Sequence, residues 1–201
     1  MKLYYSPGAC SLSPHIVLHE AGLAFDAVLA STKTHKLQDG TDFYTINELG
    51  YVPVLELDNG ERLREGPAIV QYLADQAPHK NLAPANGTLA RYRLQEWLTF
   101  IGTEIHKGFS PLFAPGTPED YKPLVRERLQ SRFAWIDKQL AGKDYLMGSF
   151  SVADAYLYTV SRWGQFVGVD TSGLANLQAF KQRMEARPGV QAALKAEGLI
   201  K

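Results

Sequence analysis

Hydrophobic and polar positions divide this chain into two parts of different period. In the first eighty residues, short β-prone runs alternate with helical ones. Lys2–Tyr5 reads as a strand ended by the turn residues Ser6-Pro7-Gly8. The run after it carries the helix-start signals Ser11, Ser13 and Pro14 and closes on Gly22. Phe25–Ala30 is a second strand, and Thr41–Asn47 is read as a short helix capped by Thr41. Val52–Leu57 is a strand joined by the Asp58-Asn59-Gly60 turn to a returning Arg62–Arg64. Pro53 has no N–H for a ladder, so it belongs at the strand's first residue or at an edge. Glu65-Gly66-Pro67 opens a helix whose apolar face is Ala68, Ile69, Tyr72 and Leu73. The order strand, helix, strand, helix, hairpin, helix defines an α/β unit.

Ala77–Gly87 breaks this pattern with two prolines and a glycine and reads as a linker. Beyond it the period is helical. Leu94, Leu98, Ile101 and Ile105 form one stripe in a helix spanning Leu89–Phe113. Prolines at 111, 115 and 118 interrupt it, and Leu124–Leu140 resumes it with Val125, Leu129, Phe133 and Ile136. Ser151–Gly168 is apolar nearly all round, which marks a buried central helix. It begins at a capping-box arrangement of Ser151 and Asp154. Leu174–Arg187 and a last short helix complete an all-helical part. Trp97, Trp135 and Trp163, one in each of three helices, are assigned to its core, while His15, His19 and His79 are read as surface or helix-face residues.

Charge narrows the function classes. Lys+Arg and Asp+Glu both number 21 in 201 residues, so the chain lacks the basic surplus of a nucleic-acid binder. One cysteine excludes an internal disulfide framework and a cysteine-rich zinc site, and it fits a reducing compartment. No apolar run approaches membrane length, and the N-terminus carries no signal-peptide pattern. A cytoplasmic protein without metal or membrane is the expectation.

The candidate chemistry starts at that cysteine. Cys10 lies between a strand and a helix start, where unpaired N–H groups and the helix dipole favour an anion. A free thiol, with a pKa of about 8.5, is mostly protonated at neutral pH, and such a position can lower that value. The competing assignment is a small buried hydrophobe. Thr99, Thr103, His106 and Ser110 recur at helical spacing beside the apolar stripe. They form either a solvated face or a polar wall in which His106 serves as donor or general base, flanked by Glu104 and Lys107. Glu65 and the N–H groups after it suit an ammonium group and a carboxylate. The backbone of Val52 suits an extended, peptide-like ligand. Tyr5 and Ser11 are alternative hydroxyls for activating a thiol.

KLYYSPGACSLSPHI, GYVPVLELDNG, EGPAIVQYLAD, EWLTFIGTEIHKGFSPLF and SVADAYLY occur in this order along the chain. Together they resemble the glutathione S-transferases, specifically the bacterial beta class. The resemblance implies a thioredoxin-like α/β N-terminal domain (residues 1–80) that binds glutathione. It also implies an all-α C-terminal domain (residues 88–201) carrying the electrophile side of the cleft, and a homodimer. Glutathione is then a substrate, with no further cofactor. The expected activity is conjugation of its thiolate to electrophilic apolar compounds, with thiol–disulfide exchange through Cys10 as a second chemistry. A non-catalytic binder of glutathione or hydrophobic ligands is the alternative.

By position, the resemblance implies Cys10 beside the glutathione sulfur and His106 facing it. A cis Val52-Pro53 peptide pairs with the cysteinyl part, and Glu65 and the N–H of Gly66 hold the γ-glutamyl end. Thr103 and Glu104 fall near the tripeptide, Glu104 reaching across the dimer. Phe109, Phe113 and Trp163 are expected near the cosubstrate. Three positions depart from the family pattern. His35 replaces a usual lysine, weakening the grip on the glycyl carboxylate as pH rises. Gly66 replaces serine, and Thr99 replaces asparagine.

Overall fold

A computed structural model describes all 201 residues. In chain order the elements are β1 (Lys2–Tyr5), α1 (Leu12–Ala21), β2 (Asp26–Leu29), β3 (Val54–Glu56), β4 (Arg62–Arg64) and α2 (Gly66–Gln76). The helical part follows with α3 (Leu89–Phe100), α4 (Ser110–Phe113), α5 (Lys122–Leu140), α6 (Val152–Ser161), α7 (Gly164–Val167), α8 (Ala175–Glu185) and α9 (Pro188–Ala196). None of these helices is long and apolar enough to cross a membrane.

Two compact units result: Met1–Ala83 together with Ala186–Lys201, and Pro84–Glu185. The break after residue 83 falls inside the linker read from the sequence. The C-terminal boundary differs from the reading that assigned residues 88–201 to one helical domain. α9 packs on α1 and belongs to the first unit. Its amphipathic pattern fits a helical neighbour of either kind, so periodicity could not assign it.

The first unit is the expected thioredoxin-like α/β arrangement. Its sheet has the order β2-β1-β3-β4, with β1 parallel to β2 and antiparallel to β3, and β3 antiparallel to β4. The chain passes from β1 through α1 to β2, the helical crossover that a parallel pair requires. Tyr4, Ala30, Phe43, Ile46, Val52 and Val54 form a continuous buried cluster. Gly22 ends α1 at φ +68°, a left-handed conformation that glycine adopts without a Cβ penalty.

Two local readings shift here. Thr41–Asn47 is only a 3-10 turn over Phe43–Thr45, capped by Asp42, whose carboxylate accepts the Tyr44 N–H at 3.0 Å; Thr41 is not the cap. β3 begins at Val54, after a cis Val52-Pro53 peptide, and lies inside the sheet between β1 and β4. Pro53 therefore precedes the strand and takes no place in an edge ladder.

In the second unit, Val152–Ser161 is buried at every residue, but the buried helix expected over Ser151–Gly168 ends there, and the separate short helix α7 leaves Phe166 exposed. Asp154 accepts from the N–H groups of Leu146 and Ser151 and from the Ser151 hydroxyl, at 2.8–2.9 Å. Burial pushes its carboxyl up to about 6 against the pull of these bonds.

The expected single helix over Leu89–Phe113 is instead four pieces: α3, a π-helical stretch over Ile101–His106, a 3-10 turn at Lys107–Phe109, and α4. Pro111 cannot donate to the Lys107 carbonyl, which instead takes the Ser110 N–H, tightening the turn. The tryptophans also divide. Trp163 is buried, but Trp135 is 42 % exposed and Trp97 is half-buried, both packed with Phe100 in a partly solvated aromatic group.

Candidate active site

The loop from Ser6 to Cys10 joins β1 to α1 and is held by the neighbouring Ser11, by the distant Glu197 and by the Val52 backbone. Ser11 Oγ donates to the Ser6 carbonyl at 3.2 Å and accepts the Ser6 N–H at 3.1 Å. The Gly8 N–H donates to Glu197 Oε2 at 2.8 Å, and Glu197 Oε1 lies 2.8 Å from His15 Nδ1 in a fully buried pair. His15 is thus an interior residue, contrary to its reading as a surface one. Cys10, half-buried, directs its thiol to the Val52 carbonyl, with Sγ···O 3.1 Å. Ser11 is fully buried and its hydroxyl is engaged with Ser6 on both sides, so it is not placed to activate a bound thiol. The Tyr5 phenol is shifted up, first by burial and then by the Glu197 charge, so it stays neutral.

Around Cys10 the structure gathers other residues singled out in the sequence. Gly66 sits against Pro53: a Cβ built on Gly66 would meet Pro53 Cγ at 3.9 Å, an ordinary contact. Gly66 is the first residue of α2; Pro67 after it has no N–H and the Ala68 N–H donates to the Glu65 carbonyl at 3.0 Å, so the Gly66 N–H is the one that the helix leaves over. Glu65, just before it, is held at φ +67°. That region costs a side-chain-bearing residue about 1–3 kcal/mol, and such strain concentrates at functional sites. The Glu65 carboxylate is exposed.

His35 also has positive φ, +51°. Its Nδ1–H donates to the Gly50 carbonyl at 3.2 Å, and its ring packs tilted against Tyr44, with centroids 4.7 Å apart. Gly50 leaves room for both rings; a Cβ there would lie 2.7 Å from Tyr44 and 2.8 Å from His35. His35 Nε2 is the nitrogen left for a ligand.

The second unit carries the other expected residues, rearranged by the π-helical stretch. Thr99, Thr103 and Ser110 are exposed, and Thr103 Oγ1 donates back to the Thr99 carbonyl at 3.0 Å. Glu104 accepts from Arg132 Nε at 2.8 Å and from Arg128 Nη2 at 3.1 Å, bonds that hold its carboxyl below the usual range. Lys107 is exposed. His106 departs from this polar row. Its Nδ1 lies 2.6 Å from the Tyr156 hydroxyl, and its ring meets Trp163 edge-on at 4.9 Å. Trp163 in turn packs edge-on against Phe109 at 5.7 Å and Phe113 at 6.0 Å. Burial first, and then the Lys107 charge, lowers the His106 pKa to about 4. At neutral pH the ring is an uncharged hydrogen-bonding group.

Sequence reasoning missed Tyr156 and Glu197. A tyrosine inside an all-apolar helix needs a partner for its hydroxyl, which is the signal that could have drawn attention to Tyr156. Nothing local announces the pairing of Glu197 with His15.

The fold and these positions define a two-unit protein with a thioredoxin-like half and a helical half. The family model for the glutathione S-transferase N-terminal domain matches residues 8–76, and that for the C-terminal domain matches residues 100–188. The glutathione S-transferase GstA of Escherichia coli O157:H7 is 48% identical over 99% of this chain and 100% of its own length. A bacterial beta class glutathione S-transferase from Sphingomonas chungbukensis superposes with a TM-score of 0.96 at 50% identity, covering 100% of both chains. BphK, a bacterial enzyme of the same family solved as a ternary complex, superposes at 0.96 with 53% identity over 98% of this chain and 100% of its own. This chain belongs to the glutathione S-transferase family, in its bacterial beta class.

The His106 environment is directly measurable. An NMR titration of its ring is expected to give a midpoint near 4, and a midpoint at 6 or above contradicts this structure. In the unfolded chain the ring takes up a proton near pH 6.5, and in the folded chain only near 4. Stability therefore falls as pH drops through that window, by up to about 3 kcal/mol from this group alone.

Proposed function

We propose that this transferase binds glutathione on its first unit and joins the tripeptide's sulfur to an electrophilic carbon of an apolar compound. The observation that carries this reading is the meeting of Cys10, Val52, Pro53 and Gly66 beside the starts of two helices. In this reading Glu65 takes the γ-glutamyl ammonium, and the Gly66 N–H takes the neighbouring carboxylate. The Val52 backbone pairs with the cysteinyl residue, and His35 Nε2 reaches the glycyl carboxylate. The sulfur anion lies near Cys10, favoured by the positive end of α1.

His106, Phe109, Phe113 and Trp163 supply a largely aromatic wall for the electrophile. Thr99, Thr103 and Lys107 form an exposed polar row on the second unit, and Glu104 engages its two arginine partners. In the reaction the thiolate electron pair forms the S–C bond, the leaving group departs with the pair of the bond it breaks, and the thiol proton passes to solvent. A structure of the sphingomonad glutathione S-transferase complexed with glutathione, 50% identical over 100% of both chains, supports the choice of thiol.

A second chemistry is supported by the half-buried Cys10 thiol. Its thiolate attacks the sulfur of a glutathione mixed disulfide, releasing the other thiol as thiolate. A glutathione-affinity column, followed by conjugation of an activated aryl halide, tests the main reading. Retention and turnover are expected, and retention without turnover leaves only a binder. Cys10→Ala should abolish disulfide exchange and retain conjugation; undiminished exchange would remove Cys10 from that role.

Gly66→Ser restores a hydroxyl in a space that accepts a Cβ. It is expected to lower the KM for glutathione by about two- to tenfold, the worth of one added hydrogen bond. An unchanged or raised KM would mean that glutathione does not sit over this helix start.

We assign a cytoplasmic location, on the single free cysteine, and a second copy of the chain as partner. Tyr44, Leu49 and Tyr51 on the first unit, and Tyr92 and Trp135 on the second, are large apolar groups left exposed, which supports self-association. Sedimentation should give twice the 22.3 kDa chain mass; a single-chain mass at micromolar concentration excludes the dimer.

A further inference from the structure

The buried helix α6 presents a hydroxyl to the imidazole of His106. Tyr156 is 3 % exposed and its Oη lies 2.6 Å from His106 Nδ1, with the rings edge-on at 5.8 Å. Either group could donate. The separation favours the phenol, because O–H donors approach to about 2.7–2.8 Å whereas N–H···O bonds centre near 2.9–3.0 Å. The phenol is also the stronger acid of the two neutral groups, and an sp² imidazole nitrogen is the better acceptor.

The surroundings fix this pair from several sides. A Cβ on Gly102, at the start of the π-helical stretch, would lie 3.6 Å from Tyr156 Oη, an ordinary contact, so this stretch packs directly against the hydroxyl. Trp163 meets the far side of the imidazole edge-on at 4.9 Å. The π-helical stretch Ile101–His106 ends on His106 itself, so the backbone irregularity coincides with the residue being aimed.

We propose that Tyr156 is a positioning residue of the site: its O–H donates to Nδ1 of His106 and holds the neutral imidazole as the tautomer that presents Nε2–H. With Nδ1 occupied as acceptor and Nε2 protonated, the ring has no lone pair with which to take a thiol proton. It offers one hydrogen-bond donor, suited to an anionic sulfur or to negative charge developing on the electrophile. The uncharged state that burial imposes on His106 agrees with this, since a weakly basic ring is a poor proton acceptor for a thiol. The general-base alternative raised by the sequence is thereby replaced by a donor role. The inference rests on His106 belonging to the site proposed above.

The test is ¹⁵N-edited NMR of the histidine rings in the full-length protein, with His106 assigned from the signals missing in His106→Gln. The expected spectrum shows Nε2 protonated and Nδ1 unprotonated near neutral pH; a protonated Nδ1 overturns the proposal without any variant. Tyr156→Phe keeps the ring and removes the donor. It should convert His106 to a mixture of tautomers and lower kcat for conjugation about three- to tenfold, with the KM for glutathione within twofold. An unchanged tautomer in Tyr156→Phe overturns the assignment. If the tautomer shifts as expected but His106→Gln conjugates at the full rate, the hydrogen bond stands and the catalytic placement of His106 falls.

Discussion

The hold on the loop between β1 and α1 is the constraint on which the first unit depends. A loop entering a helix leaves N–H groups that must be bonded or solvated. Here Ser11 returns to Ser6 at both backbone atoms, Glu197 takes the Gly8 N–H, and the Cys10 thiol reaches the Val52 carbonyl. Each of these contacts comes from a different stretch of chain. The result is a cysteine whose sulfur has one position, set by the residue before Pro53 on one side and by the start of α1 on the other. Glu197 completes this only because α9 folds back onto α1, which explains why the last sixteen residues belong to the first unit.

Electrostatics gives the two units different characters. The first unit presents helix starts, an exposed carboxylate at Glu65 and backbone groups near Val52. The second presents His106 as a neutral ring among Trp163, Phe109 and Phe113. Removing an imidazole from water penalises its charged form, and Lys107 next to it adds to the penalty. At neutral pH this ring therefore acts through its dipole and hydrogen bonds and not as an imidazolium, and such interactions are strong where water is scarce.

Two of the three non-glycine residues with positive φ lie where ligand chemistry is proposed. Glu65 and His35 take left-handed backbone conformations in a chain whose other such residues are, apart from Asn81, all glycine. Glu65 leads directly into α2, and His35 is pinned by Gly50 and Tyr44. A residue that tolerates this cost is over-determined by its neighbours. For Glu65 that means a carboxylate aimed by the backbone rather than by side-chain partners.

Much of this was legible in the sequence because it depends on local rules. The alternation of strand and helix, the linker, the buried helix after the Ser151–Asp154 cap, and the placement of Cys10 at a helix start follow from period, turn chemistry and capping. The family resemblance supplied the joint importance of Cys10, Pro53, Glu65 and His106. What needed the tertiary structure was every feature set by residues far apart. Pro111 and Gly102 break the helix at 101–109, but only packing against Tyr156 decides where His106 then points. Only the folding back of α9 could bring Glu197 to His15 and Gly8, and only the arginines of α5 reveal that Glu104 is already engaged. Periodicity reports which face of an element is apolar; which element covers that face, and which buried hydroxyl or carboxylate meets which partner, is settled by long-range packing alone.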